Sequence, residues 1–165
     1  MSLMDELSVR PMTPAEFQAI RSGMIREYAA EHVRAGDWNP DDAHARAAAQ
    51  TDELLPQGVD TPDMFMLTAV GSEGHEIGHV WVGLKRPYGS GHGAWIYNIE
   101  INPDQRGKGY GRALLEAAER ETARRGVTTI GLNVFGPNAV ARSLYESAGY
   151  EVATLQMKKE IEPAG

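Results

Sequence analysis

Residues 94–112 read AWIYNIEINPDQRGKGYGR and contain a strand-like run, a glycine-rich turn and the beginning of a helical pattern. The apolar run from Ala94 to Ile101 predicts a strand, and a helical spacing of apolar residues begins at Gly109 and continues to Arg125. The glycines between the two elements let several N–H groups point into one concavity, where a helix N-terminus adds partial positive charge. We therefore predict a phosphate-binding loop; the alternative is a tight strand-to-helix turn with solvated basic residues. The basic residues at this turn are Arg106, Lys108 and Arg112.

The patterns on both sides of this loop predict one α/β domain over residues 1–165, with residues 1–7 as a flexible N-terminal segment. Thr13 and Glu16 form the capping-box signature of a helix start, and that helix ends at Gly36. The element order is β-α-α-β-β-β-α-β-α-β, with a mixed, mostly antiparallel sheet flanked by helices. The other predicted elements are strands at Ser8–Met12, Met64–Val70, Ile77–Leu84, Thr128–Val134 and Tyr150–Lys158, and helices at Asn39–Leu55 and Pro137–Ala148.

The composition narrows the range of functions. The chain has 165 residues and no cysteine, which excludes disulfides, thiolate metal ligands and a thiol nucleophile. With 16 Lys and Arg against 23 Asp and Glu, its net charge of -7 disfavours nucleic acid and acidic lipid surfaces as partners. The sequence has no run of about 18 apolar residues that could cross a membrane. We therefore expect a cytoplasmic protein without a nucleic-acid or membrane partner, and a homodimer stays open.

Residues 75–79 read HEIGH and match the H-E-x-x-H zinc motif. That motif works only where a helix places the two histidines one turn apart. Glycines precede the segment and residues 80–82 (VWV) follow it, so the context favours a strand. In an extended chain the two histidines lie about 13 Å apart and cannot share one ion. We therefore predict a strand and no metal.

Three segments of the second half share an order with a known family. Residues 97–103 read YNIEINP, residues 106–111 read RGKGYG and residues 138–150 read NAVARSLYESAGY. They resemble the fourth strand, the R/Q-x-x-G-x-G/A loop and the N-x-x-A-x-x-L-Y-E-x-x-G-F/Y segment of the GNAT acetyltransferase superfamily. The first half, with AGDWNP at 35–40, is similar to a group of uncharacterised bacterial GNAT proteins. The C-terminal half is similar to ribosomal-protein alanine acetyltransferases.

The resemblance implies a binding mode for acetyl-CoA, which would serve as the co-substrate, with no metal. In the family the fourth and fifth strands diverge, and the pantetheine arm lies between them. The fourth-strand backbone that pairs with this arm would belong to Ile99, Glu100 and Ile101. The pyrophosphate would be held by the loop, whose residues are Arg106, Gly107, Lys108, Gly109, Tyr110, Gly111 and Arg112.

Two residues of the last predicted helix match family positions at the cofactor. Tyr145 matches the tyrosine that protonates the leaving sulfur, and Asn138 matches an asparagine that contacts CoA. A phenol of pKa about 10 can donate to a thiolate formed within hydrogen-bond reach. Their spacing along a helix is nearly two whole turns, so both side chains fall on one face. The alternatives are a helix cap for Asn138 and a core aromatic for Tyr145.

The group that deprotonates the acceptor amine is less well marked. In the ribosomal-protein alanine acetyltransferases a fifth-strand glutamate takes that role, and Asn133 stands at the matching position here. Glu100 is our candidate base, because it alternates with Ile99 and Ile101 and leaves the opposite face of the strand. The alternative for Glu100 is a charged residue at a strand end. Weaker candidates are Tyr97, His79, His92 and a chain of water molecules.

Together these features predict an N-acetyltransferase that moves an acetyl group from acetyl-CoA to a primary amine. The amine would attack the thioester directly in a ternary complex, without a covalent enzyme intermediate. The alternative is a non-catalytic acyl-CoA-binding sensor or partner module; a third class is the zinc hydrolase suggested by HEIGH. The acceptor is a small-molecule or peptide amine, and the sequence does not distinguish a peptide N-terminus, a lysine, a polyamine or an antibiotic.

Overall fold

The sheet and its helices follow the order expected from the sequence. The structure is a computed structural model that describes residues 6–87 and 91–165. The five strands lie in the order β1-β2-β3-β4-β5; β1 to β4 are antiparallel to their neighbours, and β5 runs parallel to β4. The strands are β1 Ser8–Pro11, β2 Met64–Val70, β3 Glu76–Gly83, β4 Ala94–Ile101 and β5 Ile130–Leu132. The helices are α1 Pro14–Ala35, α2 Ala43–Leu54, α3 Tyr110–Arg124 and α4 Ala139–Ser147.

The first helix begins at the predicted capping box. Thr13 Oγ1 accepts the N–H of Glu16 at 3.2 Å, and Glu16 Oε1 accepts the N–H of Thr13 at 2.9 Å. Arg10 of β1 also donates to Glu16, at 2.7 Å, and this guanidinium holds the pKa of Glu16 at about 2. Gly36 ends the helix in the left-handed region, at φ 77°, as a C-terminal glycine commonly does. These contacts fix α1 relative to the edge of the sheet.

Helices cover both faces of the sheet. On one face, Leu114 of α3 belongs to the same buried cluster as Val80 of β3. On the other face, Phe17 of α1 clusters with Trp81, the next residue along β3. Neighbouring strand residues point to opposite faces, so β3 forms the centre of two separate cores. A third small cluster joins α1 and α2 through Ala47.

Two irregularities open the sheet at one end. The register between β3 and β4 shifts at Trp81 and Val82, which pair with Asn98 and Ile96, so Tyr97 is the extra residue of a bulge. Strand β5 pairs with β4 only over the first part of β4, ending where Ile96 faces Leu132. The two strands therefore diverge beyond this pair and leave a groove between them.

One predicted element does not form. The α/β class and the mixed, mostly antiparallel sheet are confirmed, but Tyr150–Lys158 contains no strand, and residues 151–165 are exposed throughout. Val152, Leu155 and Met157 lie in this predicted strand, and all three residues are more than half exposed. A strand needs a partner edge, and β5 is far shorter than the predicted Thr128–Val134. Within the described residues, no helix is long and apolar enough to cross a membrane.

Candidate active site

The groove between β4 and β5 is a cavity of about 150 Å³. On its β5 side, β4 has no strand partner beyond Ile96 in the part of the chain that the structure describes. Backbone N–H and C=O groups on such a free side can pair with an extended ligand as another strand would. The lining residues are Glu31 of α1, Ile96, Tyr97, Asn98 and Ile99 of β4, Leu132, Asn133, Val134 and Phe135 at the end of β5, and Asn138, Ala141 and Tyr145 of the α4 region.

Asn138 lies at the wall of this groove and also begins α4. Its Oδ1 accepts the N–H of Ala141 at 3.2 Å, so the side chain caps the helix. Asn138 lines the groove as well. The cap therefore holds the amide group at the mouth of the groove, and the two alternatives given by the sequence are compatible.

Tyr145 lines the same groove two turns further along α4. Its ring packs against the larger core and lies 5.9 Å from the ring of Tyr150. Burial raises the pKa of the Tyr145 hydroxyl, and the negative charge of Glu31 raises it further. The structure thus places a phenol that stays protonated at neutral pH on the wall of the groove.

The glycine-rich loop joins the end of β4 to the start of α3. Gly107 and Gly109 have φ of 77° and 81°, the left-handed region that favours glycine. Helix α3 begins at Tyr110, and no side chain of the described residues caps it. The N–H groups of the first turn of a helix have no carbonyl partner within the helix and point out of its N-terminal end, which makes this end of α3 a candidate anion site.

The three basic residues of the loop are exposed, and each is held by a different neighbour. Arg106 Nε donates to the carbonyl of Ile101 at 2.9 Å, and Lys108 Nζ donates to Gln105 at 3.3 Å. Arg112 donates to the backbone carbonyl of Ser147 at 3.5 Å and so connects α3 to α4. Positive charge therefore surrounds the loop in an otherwise acidic protein.

Glu100, the predicted base, lies beside the groove and is not among its lining residues. Its carboxylate is 3.9 Å from Nε2 of His79 and 3.8 Å from Nη2 of Arg106. His79 is buried and its Nε2 lies 2.8 Å from Oδ1 of Asn98, which does line the groove. Burial lowers the pKa of His79, so the imidazole is mainly neutral at neutral pH.

The remaining candidates from the sequence occupy different places. Tyr97 and Asn133 line the groove, whereas His92 is exposed in the connection before β4. The HEIGH segment enters β3 at Glu76, with His75 exposed and His79 buried, so the strand interpretation is confirmed. Within residues 6–87 and 91–165, no group of three or more candidate metal ligands comes together.

A second cavity, of about 320 Å³, adjoins the groove and was missed by the sequence analysis. It shares Glu31, Phe135 and Asn138 with the groove. Glu27 and Glu31 are four residues apart on α1, so they share one helix face. This spacing is the sequence feature that could have indicated an acidic site on α1. The other residues that line this cavity are Arg34 and Pro137.

Aromatic contacts fix the end of α1 against the connection between β5 and α4. The rings of His32 and Trp38 are stacked, with centroids 3.8 Å apart. Phe135 meets the edge of His32 at 4.7 Å. These contacts set the position of Glu31, the residue before His32, relative to the groove.

Comparisons with known proteins identify relatives of this chain. Residues 24–150 match the model of the acetyltransferase (GNAT) family. The chain is 30% identical over 155 residues to the uncharacterized N-acetyltransferase YycN of Bacillus subtilis strain 168, an alignment that covers 94% of this chain and 99% of YycN. The crystal structure of B. subtilis YycN matches with a TM-score of 0.88 and 29% identity, over 95% of this chain and 99% of that one.

Two further proteins resemble part of the sequence or the fold. The ribosomal protein bS18-alanine N-acetyltransferase of Escherichia coli K12 is 46% identical over 63 residues, which is 38% of this chain and 43% of that enzyme. The spermidine N-acetyltransferase of Vibrio cholerae, solved with CoA and spermine, has a TM-score of 0.61 at 19% identity, over 88% of this chain and 80% of that one. At this identity the second likeness concerns the fold alone.

The chain therefore belongs to the acetyltransferase (GNAT) family. It is an acetyl-CoA-dependent N-acetyltransferase with the fold of YycN over nearly its whole length.

Proposed function

We propose that this enzyme transfers the acetyl group of acetyl-CoA to a primary amine by direct attack in a ternary complex. The observation that carries the proposal is the groove between β4 and β5, which has Tyr145 on its wall. The glycine-rich loop follows the same β4 strand, at the end where the sheet is open. One extended ligand with a phosphate at one end and a thioester at the other fits this arrangement.

The groove and the loop divide the binding of acetyl-CoA between them. The pantetheine arm pairs with the backbone of Ile99, Glu100 and Ile101, on the side of β4 that β5 leaves free. The N–H groups of residues 107–112 bind the pyrophosphate, and the α3 dipole supports the negative charge. Arg106, Lys108 and Arg112 add positive charge around it. Asn138 contacts the cofactor from the opposite wall.

The reaction requires one bond to form and one to break. The amine nitrogen attacks the thioester carbonyl carbon, and the carbon–sulfur bond then breaks. Tyr145 gives its proton to the departing sulfur, as a phenol that remains protonated at neutral pH is able to do. No covalent enzyme intermediate is needed, in agreement with a chain that has no cysteine.

The predicted base, Glu100, reaches the groove only through other groups. Its carboxylate lies near His79, and His79 in turn contacts Asn98 in the groove wall. A proton from the acceptor would therefore need this relay, or water, to arrive at Glu100. The role of Glu100 as the base stays a prediction.

The proposed function is tested by following free thiol release from acetyl-CoA with a panel of amines. The panel contains peptides with free N-termini, lysine peptides, polyamines and aminoglycosides. We expect one class to stimulate thiol release and to yield a product heavier by one acetyl group. A panel without any acceptor, despite tight binding of acetyl-CoA, would instead favour the non-catalytic acyl-CoA-binding module.

A further inference from the structure

We infer that Glu31 of α1 is the group at which the acceptor amine binds and loses its proton. The inference rests on the proposed acetyl transfer and names the residue that makes the amine nucleophilic. Sequence patterns gave no role to Glu31, and the predicted base was Glu100 on β4.

Glu31 occupies the junction of the two cavities. It lines the groove together with Tyr145, and it also lines the larger cavity together with Glu27 and Arg34. Among the described residues that line the groove, Glu31 carries the only carboxylate. An amine that enters through the larger cavity therefore meets this carboxylate before it reaches Tyr145, beside which the sulfur of acetyl-CoA would lie.

The carboxylate of Glu31 is available to a ligand. Glu27 is paired with Arg34, whose Nη2 lies 2.7 Å from the Glu27 carboxylate. The Glu31 carboxylate forms no hydrogen bond or ion pair with any residue in the ranges 6–87 and 91–165. A half-buried carboxylate without such a partner is stabilised when an ammonium group binds it.

Its surroundings also make Glu31 a stronger base than an exposed glutamate. Burial raises the pKa of Glu31, and the negative charge of Glu27 raises it further, whereas Arg34 acts in the opposite direction. The titratable groups across the groove are Tyr97 of β4 and Tyr145 of α4. The raised pKa of Tyr145 keeps its hydroxyl neutral at physiological pH. A general base is most effective when its pKa lies near the working pH, so a shift upward favours proton acceptance.

The protons balance in this scheme. An alkylammonium ion gives one proton to the Glu31 carboxylate, and the neutral amine attacks the thioester carbon. The carbon–sulfur bond breaks as Tyr145 gives its proton to the sulfur. The second proton of the adduct nitrogen restores the Tyr145 phenol, and Glu31 releases its proton to solvent. The products are the acetamide, CoA as its free thiol and one proton.

Glu31→Gln tests the inference, since it keeps the side-chain size and removes the base. We expect kcat/KM for the amine to fall by about 10² to 10⁴, while the affinity for acetyl-CoA stays that of the parent. The acidic limb of the parent's pH profile should be absent in this variant. Glu31→Asp should again show an acidic limb in its pH profile, because it restores a carboxylate.

Two matched variants separate Glu31 from its neighbours. Glu27→Gln removes a charge from the same helix face; it should keep an acidic limb and move that limb to lower pH, because Glu27 raises the pKa of Glu31. Glu100→Gln should keep the limb. If Glu31→Gln retains the parent's profile, or if Glu100→Gln loses it instead, the inference is wrong while the proposed function stands. If the parent acetylates no amine at all, the proposed function itself fails.

Discussion

At the scale of single residues, the proposed chemistry depends on the environments of a few polar side chains in the groove. Tyr145 and Glu31 line the same groove. Burial raises the pKa of each side chain and so favours its neutral, protonated form. The phenol is thereby suited to give a proton and the carboxylate to take one. A donor and an acceptor of protons at one groove are what direct acetyl transfer to an amine requires.

Tyr145→Phe should slow turnover without weakening acetyl-CoA binding. The substitution removes the hydroxyl and keeps the ring that packs in the core. We expect kcat to fall by about 10², the lower end for a lost general acid, because a thiol is already a fair leaving group. Steady-state thiol release and calorimetric titration with acetyl-CoA measure the two quantities.

Tyr150→Phe is the matched control for this substitution. The Tyr150 ring is the neighbour of Tyr145, its hydroxyl donates to Glu119 at 3.0 Å, and it does not line the groove. This variant should turn over at the parent rate. Equal rates for all three proteins would show that Tyr145 is structural and that proton delivery belongs to water or another side chain.

The burial of His79 makes the stability of the protein depend on pH. Burial holds its pKa below the usual value of about 6.5, so the unfolded chain binds this proton more readily than the folded chain. The contribution of neutral His79 to stability is therefore present above about pH 6.5 and is lost as the pH falls through the lower folded-state pKa. Burial lowers the pKa of His32 too, so the two histidines act in the same direction.

Urea unfolding of the parent between about pH 7.5 and 5 should therefore give a falling free energy of unfolding. In His79→Gln the free energy of unfolding should fall less over this pH range, and the decrease that is left comes from His32. His75→Gln removes an exposed histidine of the neighbouring turn and should reproduce the parent's dependence. The prediction is wrong if His79→Gln and the parent lose the same free energy over this range.

At the scale of elements, the loop and the start of α3 were predictable, and the last strand was not. Local patterns indicated Met64–Val70 and Ala94–Ile101 within the bounds observed, and Thr13 with Glu16 marked the start of α1. These signals depend on neighbouring residues in the chain. The sequence predicts a strand at Tyr150–Lys158, but a strand forms only against a partner, and the edge strand β5 offers three residues.

The same reasoning explains why Glu31 was missed and Asn138 was found. Asn138 and Tyr145 belong to one recognisable segment, whereas Glu31 reaches the groove from a helix more than a hundred residues away in the chain. Its placement depends on the stacking of His32 on Trp38 and on Phe135, contacts that no local pattern contains. Sequence alone could give the wall of the groove that belongs to β4 and α4, but not the wall that belongs to α1.

Gly109→Val tests the loop at this scale. A β-branched residue at φ 81° strains the turn and blocks the close approach of phosphate to the backbone. We expect CoA to bind about 10- to 100-fold more weakly, the equivalent of one lost hydrogen bond to a charged group. Calorimetric titration with CoA measures the loss.

Gly126→Val provides the control, since Gly126 has nearly the same φ, 83°, at the other end of α3, and a Cβ there meets no atom within 4 Å. It should carry a similar backbone strain and keep the parent's affinity for CoA. Parental affinity in a folded Gly109→Val variant would show that the pyrophosphate lies elsewhere.

At the scale of the whole molecule, the site forms where four elements meet at the open end of one sheet. Strand β4 supplies the backbone, β5 diverges from it, α4 brings Tyr145, and α1 brings Glu31. The basic loop lies at the end of β4 in a protein whose net charge is -7. We expect this arrangement to attract the pyrophosphate of CoA to the basic loop and to leave Glu31 for a cationic acceptor.

A crystal structure of the enzyme with CoA bound would test the proposed binding mode directly. We expect pyrophosphate oxygens within hydrogen-bond distance of the N–H groups of residues 107–112. We also expect pantetheine along Ile99 to Ile101 and the sulfur beside the Tyr145 hydroxyl. The binding mode is wrong if CoA avoids the groove between β4 and β5, or if its sulfur lies away from Tyr145.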